Sequence, residues 1–114
     1  MSVTIWHNPR CSKSRQTLAL LQDNGVTPEI RLYLNVPPTE QELLDVQAML
    51  GGPVLGFTRT GEKTFRELGL TKTSCDADLL AALVAHPILI ERPIVIANGQ
   101  ACIGRPPENV LDLL

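Results

Sequence analysis

A cysteine within a short polar and cationic segment is the residue of this chain best placed to do chemistry. Cys11 lies in the run Ile5-Trp6-His7-Asn8-Pro9-Arg10-Cys11-Ser12-Lys13-Ser14-Arg15. An apolar strand precedes this run, Asn8-Pro9 marks a turn, and an amphipathic helix begins directly after the cysteine. At a helix N-terminus, exposed backbone N–H groups and the helix dipole favour a thiolate over a thiol and also bind anions. The pattern therefore predicts a thiolate nucleophile that attacks an oxyanion or a disulfide.

Composition narrows the class of protein. A chain of 114 residues with 44% hydrophobic residues predicts one globular domain, residues 1–114, with its own core. Its formal net charge of -2 gives no reason to expect a nucleic-acid partner. Because the three cysteines are widely spaced and His7 and His86 are the two histidines, we expect free thiols, no metal site and no bound cofactor. The N-terminus enters a strand directly and no apolar stretch is long enough to span a bilayer, so we expect a cytoplasmic protein without a membrane partner.

Periodicity and turn signals predict the order of the secondary-structure elements. The first strand, helix and second strand form a parallel, right-handed βαβ unit. Thr39 and Glu42 form a capping box at the start of the second helix, and Asn98-Gly99 joins two apolar runs as a hairpin. The short third helix is expected to pack Phe65 and Leu68. The predicted strands are 2–6, 29–33, 93–97 and 100–103. Four predicted helices cover residues 12–24, 62–68, 74–85 and 108–113. A further helix is predicted to open at residues 37–42 and to end at residues 51–52.

This order predicts an α/β fold with a thioredoxin-like core. Its four-stranded mixed sheet is built from a βαβ half and a ββα half, with a helical insertion at about residues 38–90 between them. In this fold class the loop after the first strand carries the reactive cysteine. The proline that opens the third strand is often cis and borders the active site, and Pro93 occupies that position.

Several motifs, in order along nearly the whole chain, resemble one family. His7-Asn8-Pro9-x-Cys11 with Ser14-Arg15 resembles the active-site loop of the ArsC family, the glutaredoxin-dependent arsenate reductases. The run Arg-Cys-Ser-Lys-Ser is similar to that of its shorter, YfgD-type subgroup. The other matching motifs are Tyr33-Leu34-x-x-Pro37-Pro38, Glu67-Leu68-Gly69-Leu70, His86-Pro87-Ile88-Leu89-Ile90-Glu91-Arg92-Pro93-Ile94-Val95 and Arg105-Pro106-Pro107-Glu108-x-Val110-Leu111.

The resemblance implies roles for five residues. Cys11 is the nucleophile, His7 is the histidine that favours the thiolate, and Arg59, Arg92 and Arg105 bind the oxyanion. A guanidinium suits this task because it stays charged and matches a tetrahedral oxyanion bidentately. The implied activity is reduction of arsenate to arsenite, with glutathione as co-substrate and glutaredoxin as partner.

The residue three positions after Cys11 indicates whether an internal or an external thiol reduces the oxidised intermediate. A thioredoxin-type dithiol needs a cysteine there, and this chain has Ser14. We therefore expect an external thiol to clear the oxidised intermediate, with Cys75 and Cys102 structural. Two alternatives stay open: a monothiol, glutathione-dependent oxidoreductase of the same fold, and a non-enzymatic regulator that binds RNA polymerase, as the Spx relatives of this fold do.

Overall fold

The computed structural model describes residues 2–114, which divide into two compact units. One unit comprises the residues up to Val36 together with Arg92–Leu114, and the other comprises Pro37–Glu91. The single-domain assignment for residues 1–114 stays a prediction.

The first unit contains a four-stranded mixed sheet. Its strands are β1 (Val3–Trp6), β2 (Glu29–Arg31), β3 (Ile94–Ala97) and β4 (Gln100–Ile103), in the spatial order β2-β1-β3-β4. Strand β1 pairs with β2 in parallel and with β3 antiparallel, and β3 pairs antiparallel with β4. This topology confirms the predicted α/β, thioredoxin-like core.

Helix α1 (Ser12–Asp23) crosses from β1 to β2 in this unit, and Asn24 caps its C-terminus. Gly25 follows with a φ of 79°, a conformation that glycine adopts without steric cost. A 3₁₀ helix, Pro107–Leu113, packs against α1 and β4 where an ordinary helix was expected at 108–113. The core between these elements consists of Val3, Ile5, Leu21, Val95, Ala97, Val110 and Leu113.

The second unit is helical. It contains α2 (Glu40–Leu50), α3 (Lys63–Glu67) and α4 (Asp76–Ala85), with 3₁₀ helices at Val54–Phe57 and Pro87–Leu89. Helix α4 packs against α2 and both 3₁₀ helices. The predicted capping box of α2 is confirmed, since Thr39 and Glu42 each bond the other's backbone N–H.

Two local expectations were wrong. Strand β2 ends at Arg31, not at residue 33, because the Leu32 carbonyl accepts hydrogen bonds from the N–H groups of Asn35 and Val36 and the chain turns. Phe65 is buried as expected, but Leu68 is 44% exposed. Helix α3 ends one residue before Leu68, so that side chain lies beyond the packed turn.

Two further features concern the isomers of X-Pro bonds and the search for membrane-spanning helices. The peptide bonds before Pro93, whose isomer the sequence leaves open, and before Pro106 are cis. Within residues 2–114, no helix has the length and hydrophobicity needed to cross a membrane.

Candidate active site

Cys11 is the N-cap residue of α1. Its backbone N–H donates to the Asn8 carbonyl at 3.0 Å, which closes the turn after β1. The residue is buried, with 8% of its surface exposed. The thiol makes no capping hydrogen bond of good geometry, but the N–H groups of Lys13 and Ser14 lie close enough to stabilise a negative charge on sulfur. The fold therefore places the thiol where the sequence predicts it.

His7 and Ser14 form a buried hydrogen-bonded pair beneath this turn. The Nδ1 atom of His7 lies 2.7 Å from Ser14 Oγ, and the same oxygen accepts from the Asn8 N–H at 3.0 Å. Burial, and secondarily the charge of Arg15, lowers the pKa of His7 below its ordinary value, so its neutral form predominates at pH 7. The structure thus places the His7 ring against Ser14, and the role in favouring the thiolate that the resemblance implies for His7 stays a prediction.

Of the predicted arginines, Arg105 contacts the thiol and Arg92 is near enough for its charge to act on it. Arg105 Nη2 is 3.6 Å from Cys11 Sγ, and Arg105 Nε donates to the Arg92 carbonyl at 2.9 Å. The Nε and Nη1 atoms of Arg92 are buried. Both positive charges favour the thiolate of Cys11. A thiolate, two guanidinium groups and the first N–H groups of a helix together form a site that can bind and attack an anion.

The pKa of the Cys11 thiol results from effects that act in opposite directions. Burial is the largest, and it raises the pKa of Cys11 because it disfavours the charged form. The N–H groups of Ser14 and Lys13 and the charges of Arg92 and Arg105 together outweigh it, and the pKa of Cys11 falls below its ordinary value. A lowered pKa means that the reactive thiolate persists to lower pH than in free cysteine.

Replacing Arg105 tests this electrostatic account. In Arg105→Ala the pKa of Cys11 should move up toward its ordinary value, because one stabilising charge is gone. Thiolate forms above the pKa, so the pH profile of the alkylation rate with iodoacetamide should shift to higher pH. Lys13→Ala is the matched control, since its exposed side chain is removed while its backbone N–H stays. Equal shifts in the two variants would contradict a specific role for Arg105.

Gly104 brings Arg105 close to the cysteine. A Cβ atom at this position would lie 2.5 Å from Thr17 Oγ1 and 2.8 Å from Pro93 Cγ. Thr17 is fully buried in α1, and its hydroxyl donates to the Lys13 carbonyl in the first turn. Overpacking of this kind costs about 1–3 kcal/mol. The absence of a side chain at Gly104 thus sets how closely the Arg105 segment approaches the helix that carries Cys11.

The other predicted residues are described within their own units, and the oxyanion-binding role of Arg59 stays a prediction. Arg59 belongs to the second unit, where it pairs with Glu62 at 2.6 Å and its Nη1 donates to the Ile88 carbonyl at 3.3 Å. Cys75 is an exposed N-cap residue of α4 in the same unit, and Cys102 is partly buried in β4. Burial, with Asp112, raises the pKa of Cys102, so its thiol form predominates at neutral pH.

Ser14, Thr17 and Gly104 were not among the predicted site residues. Ser14 is marked in the sequence by its place three residues after Cys11 and by the motif Ser14-Arg15, but neither signal indicates what its hydroxyl contacts. The approach of Gly104 to Thr17 depends on how the segment after β4 lies against α1, which no local pattern encodes. In the described part of the chain, no three His, Cys, Asp or Glu side chains are grouped to hold a metal ion.

A single reactive cysteine after the first strand of a mixed four-stranded sheet, with two arginines beside it, defines a class of thioredoxin-like proteins. Residues 6–113 match the model of the ArsC family, and the chain belongs to that family. It is 49% identical over 114 residues to the uncharacterized protein YfgD of Escherichia coli (strain K12), covering 98% of this chain and 96% of YfgD.

Several relatives carry the name arsenate reductase, and two of them show the extent of the match. One, from Neisseria meningitidis serogroup A, is 47% identical over 110 residues and covers 95% of this chain and 94% of its own length. The other is a solved structure from Vibrio cholerae, with 49% identity, a TM-score of 0.96, and coverage of 100% of this chain and 98% of that one. Family membership therefore rests on sequence and structure together.

Proposed function

We propose that this protein is an arsenate reductase that uses Cys11 as nucleophile, with glutathione and glutaredoxin as reductants. The observation that carries the proposal is the placement of Arg92 and Arg105 at the Cys11 thiolate, at the N-terminus of α1. Full-length relatives named arsenate reductase support the choice of oxyanion. A disulfide substrate carries no charge at its sulfurs and has no need of two guanidinium groups.

In the first proposed step, the Cys11 thiolate attacks arsenic. An S–As bond forms, and one arsenate oxygen takes up protons from solvent and leaves as water. Arg92, Arg105 and the N–H groups of the first turn of α1 hold the remaining oxygens and offset their charge. Fixed donors of this kind need little rearrangement as charge shifts during the reaction.

In the second step, a glutathione thiolate attacks the Cys11 sulfur. An S–S bond forms as the S–As bond breaks, and its electron pair stays on arsenic, which leaves as arsenite. The two sulfurs supply the two electrons. Glutaredoxin then exchanges with the Cys11–glutathione disulfide and releases the Cys11 thiolate. The low pKa of Cys11 helps here, because a stabilised thiolate is a better leaving group.

A coupled assay tests this proposal. Purified protein is mixed with arsenate, glutathione, glutaredoxin, glutathione reductase and NADPH, and NADPH oxidation is followed. NADPH oxidation should require arsenate and every other component of the mixture. One arsenite should form for each NADPH oxidised. No NADPH oxidation with arsenate in the complete mixture, together with oxidation of NADPH by a small glutathione mixed disulfide when glutaredoxin is left out, would instead identify the monothiol oxidoreductase that Ser14 also permits.

The role of Arg59 is tested against that of Arg66. The spacing to Glu67-Leu68-Gly69-Leu70 selects Arg59, whereas Arg66 is exposed on α3. Arg59→Ala should lower kcat/KM for arsenate by about two orders of magnitude or more, since an anion that loses a charged donor is under-compensated by roughly 2–5 kcal/mol. Arg66→Ala should stay within a few-fold of the parent. The reverse order would show that the family motif is aligned wrongly through residues 53–73.

A further inference from the structure

An exposed apolar surface follows the edge strand β2. Ile30, Leu32, Leu34 and Val36 are 47%, 37%, 44% and 59% exposed, and we call these four residues the β2 surface. Tyr33, between two of them, is buried. Strand β2 lies at one edge of the sheet, so these side chains extend from a boundary of the first unit. Clustered apolar side chains on a protein surface mark sites of interaction.

The β2 surface borders the loop of residues 7–10 that precedes Cys11, which we call the catalytic loop. A groove of about 380 Å³ lies between them, lined by His7, Asn8, Pro9 and Arg10 on one side and by Leu32, Leu34 and Asn35 on the other. Because the Cys11 sulfur is nearly covered, a partner that reacts there must lie against this loop. A molecule seated on Leu32 and Leu34 would cross the groove and reach the residues adjoining Cys11.

The charges beside the groove indicate the kind of partner. Arg10 lines the groove, and Arg15 donates to the carbonyl of Pro9, which also lines it. Lys13 is exposed on the first turn of α1, and these cations stand in a chain whose formal net charge is -2. One carboxylate, Glu29, lies at the far end of the β2 surface. The partner that fits has an apolar face with carboxylates on the side that meets the catalytic loop. Four open, part-exposed side chains suit a protein face better than a small ligand, which binds in an enclosing pocket.

We propose that the β2 surface docks the protein that clears Cys11, a small thiol–disulfide oxidoreductase with an apolar, acid-rimmed face around its reactive cysteine. This inference rests on the proposed function, in which Cys11 becomes joined to glutathione and Ser14 provides no internal thiol. The partner's thiolate attacks the glutathione sulfur. A new S–S bond joins partner and glutathione, the old S–S bond breaks, and Cys11 leaves as thiolate. One thiolate and one disulfide react to give one thiolate and one disulfide, so there is no net oxidation.

The experiment measures this exchange without arsenate, so it is independent of the reductase activity. Protein carrying Cys75→Ser and Cys102→Ser is glutathionylated at Cys11 with glutathione disulfide, and release of glutathione is followed by mass spectrometry. The second-order rate with a dithiol glutaredoxin is compared with the rate with dithiothreitol. Leu34→Ser should lower the rate of glutathione release by glutaredoxin about tenfold, which is the loss typical of an interface anchor. It should leave the rate with dithiothreitol within twofold of the parent.

The control is Leu68→Ser in the second unit. Leu34 and Leu68 are both 44% exposed, so the two substitutions remove the same side chain from equally exposed positions. Leu68→Ser should leave both rates within twofold, and thermal unfolding should show both variants folded. Equal glutaredoxin rates for the two variants would overturn the proposal. So would a parallel loss with dithiothreitol, or a wild-type dimer that Leu34→Ser converts to a monomer, which would make a second copy of the chain the occupant.

Discussion

Cys11→Ser should abolish arsenate reduction, with a loss of roughly three orders of magnitude or more in kcat. A serine hydroxyl is not ionised near neutral pH, so the N–H groups and arginines that stabilise the thiolate have no anion to stabilise. An oxygen also cannot pass electrons to arsenic by forming a disulfide with glutathione. The measurement is the coupled NADPH assay together with direct determination of arsenite.

The other two thiols provide the controls for this substitution. Cys75→Ser changes an exposed residue in the second unit, and Cys102→Ser changes a residue that packs against the core of the first unit. Both variants should keep activity within a few-fold, although Cys102→Ser should lower stability slightly because it buries a hydroxyl. Loss of turnover in Cys102→Ser with the fold intact would mean that Cys102 takes part in resolving the intermediate.

Arg92→Ala should lower kcat/KM for arsenate by about two orders of magnitude or more. Two nitrogens of its guanidinium are buried, so an anion beside them interacts with a charge that water screens weakly. The same substitution removes a charge that lowers the pKa of Cys11, which should rise toward its ordinary value. Both losses act on the first chemical step, so kcat and the pH profile of alkylation should change together.

Arg92→Lys separates charge from shape at this position. Lysine keeps the positive charge, and the pH profile of alkylation should stay near that of the parent. It cannot offer two parallel N–H donors to one oxyanion, so kcat/KM for arsenate should recover only in part. Full recovery would mean that Arg92 supplies charge alone, and a kcat/KM equal to that of the parent in Arg92→Ala would remove it from the oxyanion site.

Local signals explain which parts of this molecule could be predicted from its sequence. The capping box at Thr39, the turn at Asn98-Gly99 and the strand-to-helix junction at Cys11 each depend on neighbouring residues, and each formed as expected. The 3₁₀ helices at Val54–Phe57 and Pro87–Leu89 were missed, since short apolar pieces next to prolines have no clear periodicity. The exposure of Leu68 was missed because the end of a five-residue helix decides it.

In the candidate site, too, some residues could be predicted from the sequence and others depend on the folded chain. Cys11, Arg92 and Arg105 could be selected from residue chemistry and a family resemblance, and the structure brings these three together. The bond between His7 and Ser14 could not be predicted, because it joins the end of a strand to the second position after a helix start through a turn of unknown shape. The neutral state of His7 likewise follows from burial and from Arg15, which only the folded chain shows.

The tight fit at Gly104 limits how this chain can vary in sequence. Every other amino acid carries a Cβ atom, so any missense change at this codon inserts an atom between Thr17 and Pro93. In a saturation library, position 104 should therefore tolerate few residues, although it touches no reacting atom. Its intolerance differs in kind from that of Cys11, because a change of Thr17 to a smaller residue can relieve the closest contact of a new Cβ, whereas no second-site change can replace a sulfur. The contact with Pro93 would remain, so this fold can accept a side chain at 104 only through adjustments on two sides, which single substitutions would not reveal.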